Sequence, residues 1–359
     1  MTDAATASRP PLRVALVGLG RAMFEEHYPI YREHPALFNV VAACDLLKER
    51  RDIVARDFPH CKMFRKLADM LDEREIDLVD IATPTSEHCR HALLSLQRGF
   101  WTLVETPMAL TPDETQILRG ADAKAHGRLI VLHRGLFSPD FMLARRALIY
   151  PRLGRIHHIV IRKEDYVRRD DWQAVTRLGG GAACYAMTDL LVMARRLLMA
   201  PPVQMWSDLK RLMSLGDAED CVRVLLKTRE EVTAEVVYDG GCVLAGRNPS
   251  FEISGSRGMF RVMPGARSGV ITAVDPNFDF PRRRTSVRTP PLGESLHEQI
   301  PFVESTVELP SETACGAPAF WKAVYQTVRI AAAFPIQLEE SMESVKLVHL
   351  MKKNSPFSL

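Results

Sequence analysis

No apolar run in the chain approaches the length of a membrane span. The opening, Met1 to Pro11, is polar and lacks the basic-then-apolar order of a secretory signal. The 7 cysteines never form a Cys-x-x-Cys pair, and an odd total at scattered positions suits neither a disulfide framework nor a zinc knuckle. An excess of one charge is missing too: 47 Lys and Arg stand against 44 Asp and Glu, a formal net charge of +3. The basic runs Arg168-Arg169 and Arg282-Arg283-Arg284 are short, as in solvated loops. These absences argue against a nucleic-acid partner, a membrane partner and a metal site. They leave the expectation of a soluble, cytoplasmic protein whose partner is a small molecule. There is no internal repeat.

What the chain does have is length and alternation. At 359 residues it exceeds one ordinary core, and 47% hydrophobic with 25% charged residues is a globular balance. After a tail over 1–11, buried-type strands alternate with helical stretches. The strand-like runs are Leu12–Leu19, Phe38–Cys44, Ile76–Ala82, Trp101–Val104 and Leu129–Leu132. The helical ones cover Ala22–Glu33, Lys48–Asp57, Ser86–Arg98 and Thr111–Ala125. Such alternation predicts right-handed crossovers and a doubly wound parallel sheet, a Rossmann-type domain over 12–136. From Phe137 the rhythm changes. Runs at Ile156–Ile161, Cys221–Leu226, Val232–Val237 and Phe251–Ile253 predict a mostly antiparallel, open-faced sheet in an α+β domain over 137–359. One long helix over Ala182–Leu198 should pack on that sheet. Pro276–Leu292 reads as a loop, and helices over Ala317–Phe334 and Leu338–Lys353 close the chain, packing back toward the first domain.

Gly18-Leu19-Gly20-Arg21-Ala22-Met23 lies where the first strand turns into the first helix. Gly18 permits a tight turn, and Gly20 lets the backbone approach a diphosphate. The helix start offers that diphosphate free N–H groups and a positive dipole end. Met23 replaces the third glycine of the fingerprint, which loosens helix-on-strand packing and leaves the phosphate cradle intact. Asp45 ends the next strand, where a carboxylate accepts ribose hydroxyls and repels a 2′-phosphate. NAD is therefore favoured, while Lys48 and Arg50 leave NADP open. The plainer alternatives are a glycine turn of an unrelated fold and an Asp45 that caps the next helix.

The opening VALVGLG, DIATPTSEHCRHAL (Asp80–Leu93), VETPMALTPDE (Val104–Glu114), FSP (Phe137–Pro139), LGRI (Leu153–Ile156) and GGG (Gly179–Gly181) together resemble the glucose-fructose oxidoreductase/inositol dehydrogenase (Gfo/Idh/MocA) family. FEISGSRGMFRV (Phe251–Val262), similar to the family's strand before its glycine turn, and the closing FPIQLEESMESVKLVHLMKKNS extend the likeness over nearly the whole chain. The resemblance implies a Rossmann domain whose cofactor lies at the carboxyl ends of the parallel strands. It also implies a second-domain sheet that builds a homo-oligomer, a dimer or tetramer. By the same analogy Thr83, Pro84, Thr85, His88 and Glu105 line the cofactor cleft. The alternative is a turn opening a helix, with Ser86 as its cap; the pair His88 and His91 could suggest a metal, but reads rather as a cofactor-side histidine and a surface one.

The catalytic pattern departs from the family's. Where the family carries Glu-Lys-Pro, this chain has Glu105-Thr106-Pro107. Counted from Gly179, the family's Asp and His fall on Tyr185 and Asp189. The usual Lys, Asp and His have thus become Thr106, Tyr185 and Asp189, an atypical set. A carbonyl reduced by hydride needs a proton from a group of suitable pKa. Thr106 can orient a hydroxyl but not titrate. The Tyr185 phenol can, and falls from its ordinary pKa if a cation lies close. On a helix, Tyr185 and Asp189 share one face; alternatively Tyr185 packs and Asp189 bonds a backbone group or an arginine. Arg134, Lys163 and Arg168 form a basic cluster suited to an anionic or polyhydroxy substrate, or to solvent. Trp172 reads as a loop anchor. The expectation is an NAD(P)-dependent oxidoreductase acting on a small polar or sugar-like molecule. Its rival is a non-catalytic regulatory or scaffold protein that retains the dinucleotide fold.

Overall fold

The computed structural model describes residues 9–280, 299–353 and 355–357. The first eight tail residues, Arg282-Arg283-Arg284 and most of the Pro276–Leu292 loop lie outside the described residues. Six strands form the first sheet: β1 (Leu12–Val17), β2 (Phe38–Cys44), β3 (Lys62–Phe64), β4 (Leu78–Ile81), β5 (Trp101–Val104) and β6 (Leu129–Val131). They run parallel in the order β3-β2-β1-β4-β5-β6. β4 and most of β1 are buried on both faces, which is why these runs show no polar alternation. Strand order reverses between β1 and β4, so the loops leaving their carboxyl ends diverge and open a crevice. The helices start where the sequence has capping chemistry. Thr111 and Glu114 exchange bonds in a capping box ahead of Pro112–Lys124, with Pro112 in the first turn.

The second sheet has eight strands: β7 (Ile156–Glu164), β8 (Pro202–Lys210), β9 (Cys221–Thr228), β10 (Thr233–Asp239), β11 (Phe251–Gly255), β12 (Gly258–Val262), β13 (Ser268–Val274) and β14 (Phe302–Glu308). Their order is β14-β13-β12-β11-β7-β10-β9-β8, and only β7 with β10 pairs parallel. The helices Pro139–Ala147 and Met187–Leu198 pack on one face. Among the described residues the other face carries no such helix layer, with Trp206, Leu225, Glu235, Val160, Glu252, Arg261, Val270 and Thr306 aligned across all eight strands.

Two expectations need correction. The single helix expected over Ala182–Leu198 breaks at Ala186 (φ −117°), giving Ala182–Tyr185 and Met187–Leu198. And His91, expected at the surface, is buried on Thr85–Gln97; Phe251–Ile253 is a strand as expected, within β11, which pairs as a hairpin with β12. The closing helices return to the first sheet. Trp321, on Gly316–Ile330, is buried with ring-edge contacts to His27, Tyr31 and Phe38. Leu338–Lys353 packs on Met187–Leu198, Pro112–Lys124 and β6. Among the described residues no helix is long and apolar enough to cross a membrane.

Candidate active site

The crevice holds a cavity of about 390 Å³ walled by both sheets' loops. Gly18 (φ +82°) turns β1 toward its helix, and a Cβ there would stand 2.6 Å from Thr83 Cγ2. Gly20 differs: an added Cβ would meet only the tip of Arg50, at 4.0 Å. The space in front of Gly20 is thus open to the cavity. A diphosphate against the loop fits that space. Asp45 is fixed beside the loop, its carboxylate accepting N–H bonds from Leu19 (2.8 Å) and Leu47 (2.8 Å). The next helix, Lys48–Asp57, receives no side-chain cap from it. Arg50 Nη1 lies 3.7 Å from Asp45, whereas Lys48 turns away to Asp52.

Across the cavity, Arg21 bonds Asp171 (2.9 Å) and Gln173 (2.7 Å), which clasps the glycine loop to the second domain. The first helix starts with a π turn, Met23–His27, wider than an α turn. Met23, standing for the third glycine, is buried in it. The same turn aims His27 inward. Its Nδ1 lies 2.8 Å from Asp80 and its Nε2 2.9 Å from Glu105, while Tyr31 donates to Asp80 at 2.6 Å. Two carboxylates can only accept, so both ring nitrogens carry protons. Burial alone would lower the His27 pKa, but Asp80 and Glu105 together raise it to about 10. Glu105 lines the cavity wall and also accepts the Thr106 N–H at 3.0 Å.

His88 is buried, its ring nitrogens 2.8 Å from the Pro107 carbonyl and 2.7 Å from the Thr83 carbonyl; burial lowers its pKa. It braces the two turns that floor the cavity. His91 sits beside Thr83 Oγ1 at 3.1 Å, and burial brings it to about 4.

The Gly179–Gly181 turn is squeezed on every side. Cβ atoms there would strike Leu110 and Thr85, the Gln173 carbonyl, and the Glu219 carboxylate. Behind it, buried Lys352 reaches the Gly180 carbonyl (3.3 Å) and Glu219 (3.4 Å), which in turn accepts the Ala183 N–H. This packing sets the short helix that ends at Tyr185. The Arg169 guanidinium stands 4.6 Å over the Tyr185 ring, and Tyr238 meets it edge-on at 5.6 Å. The expected fall in the Tyr185 pKa does not occur: burial raises it and outweighs the arginine. Asp189 stands on the following helix, beyond the break. Its Oδ1 lies 2.6 Å from His133 Nδ1, and His133 Nε2 lies 2.8 Å from Ser341.

The cavity walls thus bring together Gly20, Arg21, Ala22, Thr83, His88, Glu105, Thr106, Arg134, Lys163, Tyr185 and Asp189. Gly18, Leu19, Asp45, Pro84 and Thr85 lie off these walls. Pro84, not Ser86, is the cap position of Thr85–Gln97, and Thr85 is buried under Gly179. Arg134 is paired with Glu26. Arg168 is exposed and away from the cavity, whereas its neighbour Arg169 lines it.

Residues 12–133 match the model of an oxidoreductase family with an NAD-binding Rossmann fold, GFO_IDH_MocA, and residues 141–261 match the GFO/IDH/MocA C-terminal domain. The chain belongs to the Gfo/Idh/MocA family. It is an NAD(P)-dependent oxidoreductase, with the nicotinamide dinucleotide as its cofactor. The scyllo-inositol 2-dehydrogenase (NADP(+)) IolW of Bacillus subtilis is 20% identical over 96% of this chain and 94% of its own. The D-apiose dehydrogenase of Paraburkholderia graminis is 25% identical over 72% of this chain and 70% of its own. The WlbA dehydrogenase of Bordetella pertussis, solved with NADH and UDP-GlcNAcA, superimposes with a TM-score of 0.74 at 19% identity, covering 96% of each chain.

Within this Gfo/Idh/MocA chain, His27, Asp80, His133 and Arg169 join the site without having been expected from the sequence. Asp80 carried a signal, a lone carboxylate inside an otherwise apolar buried strand. For the two histidines no local pattern points to their carboxylate partners.

Proposed function

We propose that this protein moves a hydride between a nicotinamide dinucleotide and a carbinol or carbonyl carbon of a sugar-like substrate, using an altered proton-transfer set. The observation that carries the reading is the meeting of Tyr185 and Asp189 on one cavity wall, with His133 holding Asp189 from behind. The dinucleotide, when bound, supplies or accepts the hydride. In the oxidative direction the carbinol C–H leaves with its electron pair, and its O–H proton passes to Asp189. Tyr185 donates a hydrogen bond to the reacting oxygen, and its high pKa keeps the phenol protonated for that task. Thr106 orients the substrate hydroxyl. Gly18, Leu19, Gly20, Arg21 and Ala22 would cradle the diphosphate, Asp45 the ribose, and Thr83, His88 and Glu105 the nicotinamide side, with Pro84 and Thr85 supporting that turn from off the cavity wall.

Names of relatives support a polyol or sugar class: scyllo-inositol and D-apiose. They are divided on the cofactor, NADP(+) for one and NADH for another. Asp45 supports NAD for this chain, with Arg50 the group that would meet a 2′-phosphate. The uncovered sheet face, bearing exposed Trp206 and Leu225, supports a homo-oligomer.

Calorimetry with NADH tests the cofactor site. Gly20→Val should weaken NADH at least about tenfold with little change in melting temperature, since an added Cβ meets only the tip of Arg50, at 4.0 Å. Unaltered affinity would mean that the diphosphate lies elsewhere. A second assay offers myo-inositol and D-glucose with NAD+ at neutral pH. With Thr106, Tyr185 and Asp189 in place of Lys, Asp and His, turnover of both should be weak or absent. Efficient oxidation of either refutes the altered set.

A further inference from the structure

The cavity carries an imbalance that hydride transfer alone does not use. Its carboxylates are already engaged: Glu26 by Arg134, Glu105 by His27, Asp165 by the Tyr238 hydroxyl, Asp171 by Arg21 and Asp189 by His133. Glu25, exposed at the rim, is the exception. The donors left over are not engaged. Arg169 has Nε and Nη1 buried without a hydrogen bond, and its nearest carboxylate, Asp171, is 3.8 Å away. The Tyr185 hydroxyl is buried beside Tyr238 and Arg169, with no carboxylate or carbonyl acceptor of its own. Lys163, exposed to solvent at the same wall, makes no ion pair among the described residues. Buried donors without acceptors are unfavourable unless a ligand completes them.

These donors stand at a junction. Lys163 and Tyr185 wall the dinucleotide cavity and also an adjoining one of about 380 Å³, which contains no residue of the glycine loop. Stacking on Tyr185 holds Arg169 on the second-domain side of the cavity. The diphosphate has its own cradle at Gly20–Ala22. An acceptor placed among Arg169, Lys163 and Tyr185 therefore belongs to the substrate.

We infer that the substrate carries a carboxylate, as in a sugar acid or polyhydroxy acid, and that Arg169 and Lys163 bind it beside Tyr185. The inference rests on the oxidoreductase reading and narrows its substrate class. A single negative charge is indicated, because Asp165, Asp171 and Asp189 line the same space and would oppose a doubly charged phosphate. Guanidinium suits a planar carboxylate, and a neutral polyol would leave the buried Arg169 nitrogens without a charged acceptor.

The test uses the full chain saturated with NADH and matched ligand pairs, D-glucuronate with D-glucose and D-gluconate with D-glucitol, with glucose 6-phosphate as the phosphate arm. The acid of at least one pair should bind at least about tenfold more tightly than its neutral partner. Arg169→Met and Lys163→Met should each erase that preference while NADH affinity stays within about twofold of wild type. Equal binding within both pairs, no binding by either acid, stronger binding of glucose 6-phosphate, or a preference that survives both substitutions overturns the inference. So does a loss of NADH affinity in Arg169→Met, which would assign the guanidinium to the cofactor. The oxidoreductase reading survives all of these results. It fails only if the wild-type chain binds no dinucleotide, and that measurement comes first.

Discussion

Asp189→Asn and Tyr185→Phe are each expected to lower turnover on the true substrate by about a hundredfold to ten-thousandfold, with dinucleotide affinity near wild type. Asparagine preserves the shape and the contact with His133 but cannot take up the proton of the carbinol. Phenylalanine preserves the ring under Arg169 and the edge contact with Tyr238, and removes only the hydroxyl. If the two side chains serve one proton-transfer step, the double variant should be little worse than the poorer single one. His133→Ala separates orientation from chemistry: it leaves the Asp189 carboxylate in place but unheld, so turnover should fall by less than in Asp189→Asn. The measurement is steady-state kinetics beside calorimetric NADH binding for each variant. A fully active Asp189→Asn enzyme would end the proposed role, and a fully active Tyr185→Phe enzyme would end that of the phenol.

The second large effect concerns stability. His27→Leu would leave Asp80 and Glu105 facing each other without the imidazolium between them, and Asp80 already has Oδ1 buried without a partner. Removing one member of a buried charge cluster typically costs about 3–5 kcal/mol. Denaturant unfolding at neutral pH should show a loss of that order, and a difference below about 1 kcal/mol would mean that the cluster is neutral overall. The pH course has a definite sign. The folded-state pKa of His27 is raised, to about 10, from an ordinary value of 6.5. Its stabilisation is therefore complete below the unfolded value and fades as pH rises from about 6.5 through about 10. Tyr31, pushed further up by burial and Asp80, stays protonated across that window. Wild type should lose stability over that window relative to His27→Leu; parallel curves would show that His27 does not titrate there.

The amino-acid order alone determined the doubly wound sheet, the position of the glycine loop and the proximity of Asp45 to it, because each rests on neighbours in sequence. A parallel strand buried on both faces must be an unbroken apolar run, and LRVALV and LVDI are close to that. A helix after a tight turn must begin near Gly20, whatever the rest of the chain does. The second sheet was less legible. β8, β12, β13 and β14 were not anticipated, since strands with one uncovered face carry Trp206, Val270 and Phe302 outward and blur the alternation. Nor did the sequence mark the break at Ala186, where neither glycine nor proline stands.

Only the tertiary structure decided which charges meet. His27 finds Asp80 and Glu105 across separations of 53 and 78 residues, and Asp189 finds His133 across 56. Arg168 and Arg169 are equivalent in a string of letters, yet one is in solvent and the other over the Tyr185 ring. The reason is physical: periodicity and capping act within a few residues and can be read along the chain. The partner of a buried charge is chosen by the packing of elements that the backbone brings together from afar.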